Sequence, residues 1–175
     1  MVGYGDFPLA AVAVSDYEAG QMILYRIEAD KGVPLLTLPI TLTVGARVEP
    51  DLAPDNRSVA FVTTDESGGT TLWSGPFDAA AVNAIQPVFT GSSVSTFSVT
   101  GFLWSRAGEL WFSTAGLAPG GLMNAGALWR QSPDTGPQSL GQGAFHRLLG
   151  TTAAPNVFWV ARRLSEAAEW RAEGW

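Results

Sequence analysis

The chain has 175 residues, 46% of them apolar and only 15% charged, with a net charge of −6, 20 glycines, 11 prolines and no cysteine. Such a length can bury about two-thirds of its unfolded surface in one domain, and a turn-rich, charge-poor composition points to an all-β protein, not to a helical bundle or a disordered tract. The missing cysteines exclude disulfides, thiolate metal sites and a cysteine nucleophile, and nine scattered arginines with Lys31 make no basic stripe, which argues against nucleic acid as a partner.

No segment approaches the ~20 apolar residues of a membrane span. The N-terminal apolar run Leu9–Val14, with Asp6 before it, is too short for a signal sequence. The chain as written is therefore expected to be soluble and without a signal peptide. Its compartment stays open between the cytoplasm and export after signal removal.

Phe7–Val14 predicts a buried strand, Asp16–Gly20 a hairpin loop, and Met22–Ile27 and Val33–Leu38 two more strands. Arg47–Leu52 then reads as a strand and Ala53–Arg57 as a turn, because proline fixes φ and Asp/Asn accept local backbone bonds. Ser58–Val62 is apolar almost throughout, as in a strand buried on both faces. Asp65–Gly69 is a loop, Thr70–Ser74 a third strand broken by Gly75-Pro76, and Ile85–Thr90 a fourth. Four antiparallel strands in about 45 residues make one unit the size of a propeller blade.

The next unit copies this one. Leu52–Phe61 aligns without a gap on Leu103–Phe112 at an offset of 51. Ala115–Ala125 follows as a long glycine-rich loop carrying Leu117, Leu122 and Met123. The last unit runs through Phe145–Leu149, Val157–Val160 and Ala168–Trp175. Within it Arg162–Glu173 is rich in helix formers and has an Arg162–Glu166 pair, so helix and strand both stay open there. Tyr25, Trp73, Trp129 and Trp170 mark the third strand of each unit, three of them preceded by leucine. A repeat of this kind fixes architecture.

Val48–Phe61 (VEPDLAPDNRSVAF) resembles the PD40 (TolB-type, WD40-like) β-propeller repeat. Pro50, Ala53, Pro54, Asp55, Asn56, Val59, Ala60 and Phe61 match the pattern of that family in place, with Asn56 where glycine is usual. Trp104–Phe112 keeps the shape without the Pro-Asp pair, and the first and last copies match only by strand order and aromatics. The resemblance implies an all-β, β-propeller-like array of about three to four four-stranded antiparallel blades, incomplete as a single chain, with units near 7–40, 46–91, 97–141 and 144–175. Since propellers close with about four to eight blades, three resolutions are open: closure by a second copy, a piece of a longer propeller, or a small irregular one. Self-association is favoured, Met1 suggesting a complete reading frame.

Candidate sites are few. His146, the one histidine, stands between Phe145 and Arg147 with no Gly-x-Ser-x-Gly elbow in the chain and reads as structural. Asp16, Glu18, Asp65, Glu66 and Glu166 fall in corresponding hairpin loops on one rim. Solvated turns account for them best, and a calcium site stays possible but lacks the usual loop pattern. Trp73, Trp111, Trp129 and Trp159 are expected to pack between blades. Trp104, placed at a turn, and the loop residues Leu117, Leu122 and Met123 are the better contact candidates. The function expected is a non-catalytic scaffold for protein–protein interaction or homo-oligomeric assembly, needing no cofactor. A propeller attached to a prolyl-oligopeptidase-like hydrolase and a glycan-binding propeller are the alternatives.

Overall fold

A computed structural model of the chain describes residues 10–28, 31–39, 48–78, 84–91, 98–117, 123–132, 135–151, 158–163, 169 and 171–174. The first sheet is β1 (Ala10–Asp16), β2 (Gln21–Glu28) and β3 (Lys31–Pro39). The second is β4 (Asp51–Leu52), β5 (Ser58–Thr64), β6 (Thr70–Pro76) and β7 (Gln86–Thr90). The third links β8 (Ser98–Trp104), β9 (Leu110–Leu117), β10 (Met123–Gln131), β11 (Gln138–Thr151), β12 (Phe158–Arg163) and β13 (Arg171–Gly174). Every strand pairs antiparallel with its neighbour in sequence, so the molecule is an all-β array of propeller-like blades. Among the described residues no helix is long and apolar enough to cross a membrane.

The third and fourth sequence units share one strand. Residues Gln138–Ala144 of β11 pair with β10, and Phe145–Thr151 pair with β12. The break expected between 141 and 144 is thus continuous strand. β11 also lies against β8 and β9, with Leu148 packed beside Leu103 and Trp111, which folds the last ladder back onto the first strands of its own sheet.

Other expectations are corrected. The strand before the Pro-Asp turn is only Asp51–Leu52, since Val48–Pro50 is not paired and Pro50 brings no N–H to a ladder. Gly75-Pro76 does not break β6. Pro76 lies past the β7 ladder, which ends at Ser74, and still sits opposite Ser58. The alignment without a gap is off by one inside the turn. Leu52 faces Val59, seven residues on, whereas Trp104 faces Leu110, six residues on. Trp104, not Leu103, is therefore the counterpart of Leu52. Where a helix stayed open, Arg162–Arg163 and Arg171–Gly174 are strand, and Arg162 meets Glu173 at 3.8 Å across the ladder. Glu166 and Trp170 lie outside the described residues.

The Leu-aromatic repeat has a structural meaning beyond packing. At Leu24/Tyr25, Leu72/Trp73 and Leu128/Trp129 the pairing with the next strand slips by one residue. The extra residues are Leu35, Val88 and Leu140. A bulge sets two consecutive residues toward one side, which strict alternation forbids. Each bulge thus adds an apolar side chain to the gap beyond it: Leu35 with Leu24 against the second sheet, Val88 with Leu72 against the third, and Leu140 with Leu128 against the β11–β12 ladder of the same sheet.

Three apolar clusters fill these gaps. The first joins Met22, Leu24, Leu36 and Leu38 to Val59, Phe61, Phe77 and Ile85. The second joins Ala60, Leu72 and Phe89 to Trp104, Leu110, Phe112 and Trp129. The third joins Trp111 and Leu128 to Leu148 and Val160. Trp111 thus packs away from Trp73 and Trp129, on the opposite face of its sheet, and is not their repeat equivalent.

Candidate functional site

A small unit recurs in the second and third sheets. Phe61 and Trp73 are paired across β5 and β6, their rings stacked at 6.2 Å and 8°. Phe112 and Trp129 do the same across β9 and β10 at 5.9 Å and 5°. In both, the indole N–H donates to a threonine hydroxyl two residues after the phenylalanine: Trp73 Nε1 to Thr63 Oγ1 at 2.8 Å, and Trp129 Nε1 to Thr114 Oγ1 at 3.1 Å. Thr114 Oγ1 also accepts the backbone N–H of Ala127 at 3.2 Å. Gly126 leaves the room for that approach, because a Cβ there would stand 1.7 Å from the carbonyl oxygen of Thr114.

At the same register the first sheet carries Val12 opposite Tyr25, with Val14 in the threonine position. Phe61 and Phe112 are fully buried, but Val12 and Val14 are 40% and 46% exposed. Ile23, Tyr25 and Ile27 lie on the same side and are half-buried. The other side of this sheet is covered by the second sheet, and Arg26 fastens the two by donating from Nη1 to the Phe77 carbonyl at 2.8 Å, its guanidinium over the Phe77 ring. The first sheet thus has one packed face and one open apolar face.

The acidic candidates organise their own turns. Asp16 Oδ1 accepts the N–H groups of Glu18 and Ala19. Asp65 Oδ1 accepts the Ser67 hydroxyl at 2.6 Å and the N–H groups of Ser67 and Gly69. These bonds, the hydroxyl first, hold the Asp65 carboxyl below its ordinary range. Glu18 and Glu66 are exposed beside them. Both turns make the same connection in successive sheets, as expected, yet no three His, Cys, Asp or Glu among the described residues form a group able to hold a metal ion.

Of the apolar contact candidates, Leu117 and Met123 are not in a long loop. Their backbones end β9 and begin β10 and face each other in the ladder. Leu122 lies outside the described residues. Trp104 is likewise not a surface turn residue. It ends β8, is 8% exposed, packs in the second cluster, and donates from Nε1 to the Asp51 carbonyl at 3.2 Å. Its burial follows from its register opposite Leu110.

One wall of Trp104 also borders a cavity of about 240 Å³ between the second and third sheets. Arg57, Ser58 and Ser74 line it from the second sheet, and Gln131 and Ser132 from the third. These residues come from strand ends far apart in the chain and meet only where the two sheets pack.

No family model matches the chain, and no curated protein does. A solved structure similar to it is that of the acylaminoacyl peptidase of Pyrococcus horikoshii. The identity is 8%, the TM-score is 0.46, and the match spans 94% of this chain and 30% of that one.

Proposed function

We propose that the chain is a non-catalytic, PD40-like propeller scaffold for protein association, and that a second copy of the chain covers the open face of its first sheet. The observation that carries this reading is the exposure of Val12 and Val14 at the register where Phe61 and Phe112 are fully enclosed. Contiguous apolar surface of this kind marks interaction sites. In the two other gaps the cover is a sheet of the same repeat, and a second copy supplies such a sheet.

Sedimentation equilibrium of the chain and of the V12K/V14K double variant tests the reading. The parent is expected at the mass of a dimer or more, and the variant at the monomer mass with an unchanged circular dichroism spectrum. A parent chain that stays monomeric at all concentrations, or a variant that associates as well as the parent, overturns it.

A further inference from the structure

Two copies can meet on the open face of the first sheet in several ways, and the distribution of apolar surface favours one. Among the described residues the large apolar side chains left exposed are Val12, Val14 and Tyr17. All three belong to one hairpin. Val12 and Val14 stand on the open face of β1, and Tyr17 begins the turn into β2 with 83% of its surface in water. A head-to-tail contact joins two different patches of the same chain, whereas a two-fold contact joins one patch to itself. A single patch of this kind points to the two-fold arrangement.

Charge bears on how the two faces cross. From Ala10 to Val14 on β1, and from Ile23 to Ile27 opposite them on β2, the open face is uncharged. Asp16 ends it and Glu18 follows in the same turn, both exposed. A two-fold axis along the strands would set the two acidic turns side by side, where like charges repel. An axis across the strands sends them to opposite ends, and lays the turn of each copy beside the Ala10–Ile27 end of the other.

Area gives Tyr17 its weight. Three strands about 4.8 Å apart, seven residues long at about 3.4 Å each, present a flat area on the order of 340 Å². That is well below the ~800 Å² per partner of a standard interface. A covered tyrosine adds roughly 150–250 Å², a large share of what such a contact can bury.

We propose that the chain forms a closed two-fold dimer in which the open faces cross antiparallel and Tyr17 of each copy packs on the Ala10 and Ile27 end of the other. This rests on the scaffold reading above and adds to it the symmetry, the orientation and a residue acting across the interface.

Sedimentation equilibrium over a wide concentration range tests the symmetry: the mass should level off at two copies. Y17A should weaken the association by about tenfold or more, given the area lost, and keep the parent circular dichroism because Tyr17 is exposed. The chain has no cysteine, so disulfide trapping in a glutathione buffer tests the orientation. A10C/Y17C should give a covalent dimer, since the two positions are a strand length apart within one chain and too distant to bridge there. Y17C alone should stay uncrosslinked. A mass that keeps rising past two copies, a dimeric A10C/Y17C that does not trap, trapping of Y17C alone as readily as of the pair, or a Y17A chain that associates like the parent overturns the proposal. Each leaves the scaffold reading standing as long as V12K/V14K still abolishes association. A parent that is monomeric throughout overturns both.

Discussion

The first and third sheets share a register and differ in what covers it. Phe112, Trp129 and Thr114 are a stacked, hydrogen-bonded unit under the second sheet, while Val12, Tyr25 and Val14 hold the same places in the open. The substitutions follow the environment. A large ring is useful only where a neighbouring sheet takes it out of water, and a buried indole N–H needs its acceptor. Where no sheet among the described residues covers the position, smaller β-branched residues fill it, which suit a pleated, half-buried surface.

The largest contrast is expected from truncating the centre of each unit. F112A should cost about 3–5 kcal/mol, the range for a buried ring replaced by alanine. V12A should stay within about 0.5 kcal/mol in the monomeric chain, as exposed positions do. Denaturant midpoints at equal slope measure both, and equal losses would erase the distinction between the sheets.

Removing the threonine acceptor should have a middle-sized effect. T114V leaves the indole N–H of Trp129 and the backbone N–H of Ala127 without their oxygen, at a cost of about 1–3 kcal/mol for a stranded donor. The converse change, V14T, should be nearly neutral because water serves the hydroxyl. Thermal unfolding of the two variants reads the difference.

The smallest effect lies in the turns and depends on pH. Asp65 and Ser105 do the same work in like turns: each accepts two N–H groups, and the turns close with Gly68 and Gly108 at φ 82° and 80°. The Asp65 carboxyl, however, titrates below its ordinary value of 3.8 in the folded chain. A depressed folded value means that its stabilisation is complete above 3.8 and fades as pH falls through the folded value. The melting difference between the parent and D65A should therefore shrink on acidification below that point. The difference between the parent and S105A should not change, since a hydroxyl does not titrate there.

Much of the fold was legible because period and turn chemistry are local. Ala53–Asn56 announced its turn, and the structure puts Asn56 at φ 56°, the left-handed region that asparagine tolerates. The aromatic repeat located Tyr25, Trp73 and Trp129 at equivalent places. Missed were the bulges, although Pro34-Leu35-Leu36 and Pro87-Val88-Phe89 carry a shared pattern of proline before two apolar residues. A slip in pairing depends on the partner strand, which no single run displays. Trp104 was misplaced for the same reason, one turn residue being hidden in an alignment without a gap. The cavity was illegible, because its lining meets only when two sheets pack.

The unbroken course of β11 bears on how the chain comes apart. Its first half closes the ladder with β10 and its second half opens the ladder with β12, with no loop where one could yield without the other. Opening either ladder strips backbone partners from a strand that the other still holds. The six strands from β8 to β13 should therefore exchange their amide protons as one cooperative block. The first and second sheets share no strand with each other or with this block. They are joined to each other and to it through side chains, by the buried clusters and the bonds of Arg26, Thr70 and Trp104.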